Sequence, residues 1–179
     1  ISNQWDFIIG GLNQPPDYGT YTNRNSNTAG CQTAVENVAA RFRAYGLDWE
    51  LFDYGSYPPD AIGTLPGVVT PDNVFIVIGH IDDMPSSGAA PGANDNASGT
   101  ATVTALAEVM SRYRFENTVK FLAVTGEEQG LHGSTAYSDR ASTEGEAIQA
   151  VLNADMTGWD GGRPATENVN INYNASSLW

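Results

Sequence analysis

Five carboxylates and one imidazole stand out in this sequence because each follows a short apolar run. His80 and Asp82 come directly after Val74-Phe75-Ile76-Val77-Ile78-Gly79, and Asp95 lies in the loop that continues from them. Glu127 and Glu128 follow Phe121-Leu122-Ala123-Val124, and Asp155 follows Val151-Leu152-Asn153-Ala154. If those runs are neighbouring strands, the groups collect at one edge of one sheet. Left unpaired there they repel, and burying them costs several kcal/mol each. A cation resolves the conflict. Imidazole with carboxylates suits Zn²⁺, with Mn²⁺ or Co²⁺ as alternatives, whereas an all-oxygen cage would point to Ca²⁺ or Mg²⁺. Adjacent residues at a strand end can splay apart, so one of Glu127 and Glu128 can bind metal while the other faces water.

The surrounding pattern supplies elements that would hold these residues. Ala34, Val35, Val38, Ala39, Phe42 and Tyr45 recur at helical spacing up to Gly46, which predicts a helix of about 17 residues closed by a glycine cap. Leu47 to Tyr54 reads as a strand, and Gly55 to Asp72, with four prolines and three glycines, as a long loop. Beyond it the chain alternates: strand Val74–Gly79, a Gly- and Ser-rich loop to Ala97, helix Gly99–Tyr113, strand Thr118–Thr125, a short helix after Gly130, strand Ile148–Ala154, and a last strand near Val169–Tyr173. That order predicts an α/β fold, a mostly parallel mixed sheet with helices on both faces. In such folds sites form where strands end and loops begin. No linker divides the chain, so residues 1–179 are expected to form one domain. Trp5, Phe7, Phe42, Trp49 and Phe75 are expected in the core.

Composition narrows the classes of partner. There are 8 Lys+Arg against 21 Asp+Glu, a formal net charge of −13, so the basic footprint that a nucleic-acid partner needs is missing. No apolar run approaches the roughly 18 residues of a membrane span. The single cysteine, Cys31, reads as a buried structural thiol on the first helix. The chain begins at Ile1 without a signal-peptide pattern, so a processed or trimmed N-terminus is expected. Two glycosylation-type triplets occur, Asn96-Ala97-Ser98 and Asn174-Ala175-Ser176; the first is read as chance, since a glycan there would block the site.

Taken together, Gly79-His80-Ile81-Asp82, Pro91-Gly92-Ala93-Asn94-Asp95-Asn96-Ala97-Ser98-Gly99, Gly126-Glu127-Glu128-Gln129-Gly130-Leu131-His132-Gly133-Ser134 and Asn153-Ala154-Asp155-Met156 resemble, in order and spacing, the motifs of the M28 zinc aminopeptidases. The likeness extends upstream through Asn23-Arg24. The resemblance implies a zinc-dependent exopeptidase fold and a secreted enzyme that hydrolyses N-terminal residues from peptides. It implies two Zn²⁺ bridged by Asp95, with His80 and Asp155 completing one site and Glu128 serving the other. Glu127 would be the general base. Asp82 would orient His80 through its other ring nitrogen. A non-proline cis peptide is implied at Asp95-Asn96. Met156 and Trp159, just past a ligand, are candidates to line a pocket for the substrate's first side chain.

One feature departs from the family pattern. A further histidine downstream of the Asp155 position completes the second metal there, and this chain has two histidines in all, His80 and His132. His132 occupies a variable position of its motif and is expected at the surface. One metal site is then complete and the other half-present. An incomplete C-terminus, lacking the family's last elements, is the favoured expectation, ahead of a nicked chain or a true short form. An uncovered sheet would then invite self-association or a second chain. The rival functions are a non-catalytic binding or assembly module, and a carboxypeptidase or cyclising transferase of the same fold.

Overall fold

Helix α1 (Ala29–Ala44) starts where Thr28, in extended conformation, accepts a hydrogen bond on its side chain from the Cys31 N–H, satisfying one of the first turn's orphan donors. Cys31, Ala34, Val35, Val38, Ala39 and Phe42 recur every three or four residues and form its buried face. Gly46, at φ 79°, takes up the left-handed conformation that follows a helix end. Burial pushes the Cys31 thiol up to about 12, which keeps it protonated and inert, as a structural cysteine should be.

This computed structural model describes residues 23–86, 88 and 92–158. After α1 come β1 (Asp48–Phe52), β2 (Asp60–Leu65) and β3 (Thr70–His80), then an irregular turn (Ala93–Ser98) leading into α2 (Gly99–Met110). β4 (Asn117–Val124), α3 (His132–Glu144) and β5 (Ala147–Asn153) complete the described fold. The five strands form one sheet in the order β1-β2-β4-β3-β5. β3 runs parallel to both β4 and β5, while β2 is antiparallel to β1 and β4. The sheet is therefore mixed, with its parallel part at the side that carries the chemistry.

Helices cover both faces. α1 and α2 pack with Leu47, Ala61, Val77, Ile81, Val119, Phe121 and Ala123 in one cluster. On the other face Tyr137 and Ala141 of α3 pack with Ile62, Val74, Ile76, Leu122 and Val124. Register then sets the site: His80 pairs with Val124, and Ile78 with Asn153. The residues that follow Val124 and Asn153 thus emerge beside His80.

Three sequence expectations are corrected. The segment from Gly55 to Asp72 is not a loop, because β2 lies inside it and pairs on both sides. Pro58, Pro59 and Pro66 flank the strand without entering it, so β2 loses no ladder donor; Pro71 stands at the irregular start of β3. The helix after Gly130 is not short but has 13 residues; its buried stripe is only Gly133, Tyr137 and Ala141, one residue per turn, too thin to read as a long amphipathic helix. Trp49 and Phe75 are not core: they are 45% and 38% exposed, Trp49 on the edge strand β1 and Phe75 on a partly uncovered stretch of sheet. Phe42 is fully buried as expected. Trp5, Phe7, the strand near Val169–Tyr173 and Asn174-Ala175-Ser176 lie outside the described residues.

β5 is solvent-exposed along its whole length. Beside it Phe75, Met110, Phe115, Val119 and Leu152 line an apolar groove of about 600 Å³. This groove sits against the middle of β3 and the start of β4, and His80 does not line it.

Candidate metal centre

His80 is the last residue of β3, and its imidazole is 5% exposed. The peptide that follows it is held at both its polar groups: the Thr100 hydroxyl donates to the His80 carbonyl at 2.7 Å, and the Ile81 N–H donates to the Val124 carbonyl. Three carboxylates face the outward nitrogen. Nε2 lies 3.2 Å from Asp95 Oδ1, 3.8 Å from Asp155 Oδ1 and 3.9 Å from Glu127 Oε2. Burial pulls the imidazole's pKa down, but Asp82, Glu127 and Asp155 outweigh it and hold it up at about 9.

The turn that carries Asp95 enters through Gly92 in left-handed conformation and contains a cis peptide between Asp95 and Asn96. Asn96 is fully buried and ties this turn to the segment after β5. Its Nδ2 donates to the Ala154 carbonyl at 3.0 Å, and its Oδ1 accepts from the N–H groups of Gly99 and Met156. Asp155 lies between Ala154 and Met156, so Asn96 brings Asp155 beside Asp95. A side chain at Gly99 would collide with the Ala154 carbonyl and the Asn96 amide, which is why α2 begins on a glycine here. The buried amide also disposes of the glycosylation triplet at Asn96.

Glu127 and Glu128 leave the end of β4 through Gly126, at φ 70°, whose N–H donates to Ser26 Oγ. Asp82, fully buried, receives the N–H of Glu127 on one oxygen and that of Glu128 on the other, at 3.3 and 3.1 Å. One carboxylate thus holds both glutamates by their backbone. The same Asp82 Oδ1 lies 3.6 Å from His80 Nδ1, beyond hydrogen-bond range, and that nitrogen finds no other partner among the described residues. Burial, then the carboxylate of Asp95, pushes the Glu128 carboxyl above its usual range. Burial does the same for Glu127, with Asp82, Asp155 and Asp95 reinforcing it against His80.

The donor atoms of His80, Asp95 and Asp155 lie within 4.8 Å of one another. A buried imidazole facing clustered carboxylates is an unfavourable assembly by itself and a good one around a cation. The residues present therefore fit a metal ion. Glu127 borders this group, Glu128 is electrostatically coupled to Asp95, and Met156 stands next to Asp155 with 46% of its surface exposed. Trp159 lies outside the described residues. His132 is exposed, bonded to the Gln129 carbonyl and stacked edgewise on Tyr57, and it does not join the cluster.

Sequence reasoning missed the anchors behind the site. Arg24 is fully buried, with its N–H on both oxygens of Asp83, its Nε on the Ile81 carbonyl and an Nη on the Gly92 carbonyl. Asp83 is fully buried too, and their side chains lie 3.6 Å apart. This pair pins both ends of the loop between His80 and Asp95. The one available signal was Asn23-Arg24 within the resemblance, to which no role attached. Removing one partner of a buried ion pair costs about 3–5 kcal/mol. Asp83→Ala is expected to lower the melting temperature by roughly 6–20 °C in thermal unfolding followed by circular dichroism; a change within 2 °C would show that the pair is dispensable.

Residues 60–178 match the model of peptidase family M28. A probable zinc metalloprotease of Leptosphaeria maculans is 31% identical over 160 residues, covering 78% of this chain and 37% of the relative. Across the first relatives matched, the chain spans 33–37% of their length. Among solved structures, LapA of Legionella superposes with a TM-score of 0.76 at 21% identity, over 89% of this chain and 44% of that one. A zinc aminopeptidase of Bacillus subtilis is 30% identical with a TM-score of 0.51, over 57% of this chain and 25% of that one.

Proposed function

The chain belongs to peptidase family M28, and from that premise we propose that it supplies the catalytic machinery of a zinc-dependent aminopeptidase that removes N-terminal residues from peptides. The observation that carries this reading is the convergence of His80, Asp95 and Asp155, with Glu127 at its border. Zinc is the metal because imidazole with carboxylates is a zinc donor set and because relatives are named zinc enzymes. His80 and Asp155 would hold one ion, Asp95 would serve it and a second, and Glu128 would serve the second. Bound zinc supplies Lewis acidity, polarising the scissile carbonyl and making water more acidic. Glu127 takes the proton of the attacking water and returns it to the leaving amine. Asp82 fixes the backbone from which Glu127 projects, and Met156 borders the space for the substrate's first side chain. The scarcity of lysine and the acidity of the chain support action outside the cell.

The experiment pairs a leucine anilide with its N-acetylated form. Release of the aniline from the free amine alone, abolished by a chelator and restored by zinc, is the expected result. Equal cleavage of the blocked substrate would remove the aminopeptidase reading, and metal uptake with no turnover on any substrate would leave a binding module.

A further inference from the structure

Asp60 opens β2 and is fully buried, yet neither the proposed metal set nor the proton transfer uses it. Its Oδ1 accepts from the Thr125 N–H at 2.8 Å. Its Oδ2 finds no partner among the described residues. Thr125 is the residue between β4 and the Gly126-Glu127-Glu128 run, and all its polar atoms are held from this side. The Tyr54 hydroxyl meets its hydroxyl at 2.7 Å and its carbonyl at 3.1 Å, and the Thr125 hydroxyl reaches the Pro58 carbonyl. The Gly133 N–H donates to the same Thr125 carbonyl, and a side chain at Gly133 would strike the Asp60 carboxyl. The carboxyl is thus wedged between the exit of β4 and the start of α3.

The charged and titratable groups that bear on it are Asp82 after β3, Arg140 of α3 and Tyr54 after β1; from the side of β4 it meets the uncharged Thr125. Arg140 is engaged by Glu50 and compensates only weakly. Ionised, Asp60 would leave one oxygen charged, dry and unpartnered, near the like charge of Asp82. As a neutral acid it keeps the Thr125 bond and avoids that cost. Burial, the dominant influence, pushes its pKa to about 7.

We propose that Asp60 is a positioning residue for Glu127 and Glu128 that works as a neutral buried acid, so that ionising it loosens the exit of β4. The catalytic half of this inference rests on the aminopeptidase reading; the protonation half does not. A folded-state pKa raised from 3.8 to about 7 stabilises the fold fully below pH about 4, and that stabilisation is lost as the pH rises through about 7. The shift corresponds to a change of up to about a thousandfold in the folding equilibrium.

Asp60→Asn keeps the acceptor for Thr125 and cannot ionise. Its melting temperature is expected to match that of the unmodified protein near pH 4 and to exceed it increasingly toward pH 8. A difference that is flat with pH overturns the proposal. If the variant does not fold, the carboxyl carbon of Asp60 in the unmodified protein is followed by NMR: a midpoint near 7 supports the proposal and one near 4 overturns it. For positioning, Asp60→Ala is expected to lower kcat several-fold with KM unchanged, and Asp60→Asn to restore kcat and remove its decline above neutral pH. An Asp60→Ala kcat equal to that of the unmodified protein overturns the positioning half. If no protein turns over at all, the aminopeptidase reading has failed, while the stability and NMR measurements still decide the protonation half.

Discussion

Glu127→Gln is expected to leave the fold and zinc content unchanged and to lower kcat by about 10²–10⁴, the range for a positioned general base. Glu127 Oε2 stands 3.9 Å from His80 Nε2, while the tight donor group is His80, Asp95 and Asp155. Glu127 is therefore beside the cation position without being one of its three closest donors, which is where a group that handles the water's proton belongs. Its side chain is 31% exposed, so a water can reach it. Its carboxyl is pushed upward by burial and by three neighbouring carboxylates, which makes it a better proton acceptor than a free glutamate. Glutamine preserves size and polarity and removes only the basic oxygen. Turnover within twofold of the unmodified protein, at equal zinc content, would sink this assignment and transfer the role elsewhere in the site.

Much of this centre could be read from residue order because a parallel sheet converts order into position. Once Val74–Gly79, Thr118–Thr125 and Ile148–Ala154 were neighbouring strands, His80, Glu127 and Asp155 had to share an edge, and the register of β3 against β4 and β5 meets that requirement. Sequence reasoning failed where the deciding quantity was burial of a polar group. Asp83 and Arg24 look like ordinary surface charges until the fold places each against the other, and Asp60 looks like a loop residue beside two prolines. Nothing local distinguishes these from solvated side chains, since what retains them is a hydrogen-bond partner distant in sequence. Trp49 and Phe75 failed the opposite way: apolarity marks a tendency to be buried, which goes unmet for Trp49 on the edge strand β1 and for Phe75 where the interior strand β3 is partly uncovered.

Asp95→Ala is expected to reduce zinc affinity by more than the 10–100-fold typical of outer-shell changes, on the order of 10³-fold, with little change in the stability of the metal-free protein. The two outcomes separate because of where Asp95 sits. Its side chain is 49% exposed, so its loss opens no cavity. The neighbouring Asn96 carries the structural load, holding Gly99, Ala154 and Met156 from a fully buried position. In the metal-free protein Asp95 is one of several carboxylates crowded around a single imidazole, and deleting it trades one attraction to His80 for relief from its acidic neighbours. With zinc the balance changes, because Asp95 is the carboxylate closest to His80 Nε2, at 3.2 Å, and is the group shared between the proposed ions. A hundredfold excess of zinc over Kd stabilises a folded protein by about 2.7 kcal/mol, roughly 5–11 °C for a domain of this size. The unmodified protein should show that rise and Asp95→Ala should not, with both melting alike in chelator. An equal zinc-induced rise in the two proteins would place the cation away from Asp95, and a large loss of stability in chelator would make Asp95 a structural residue instead.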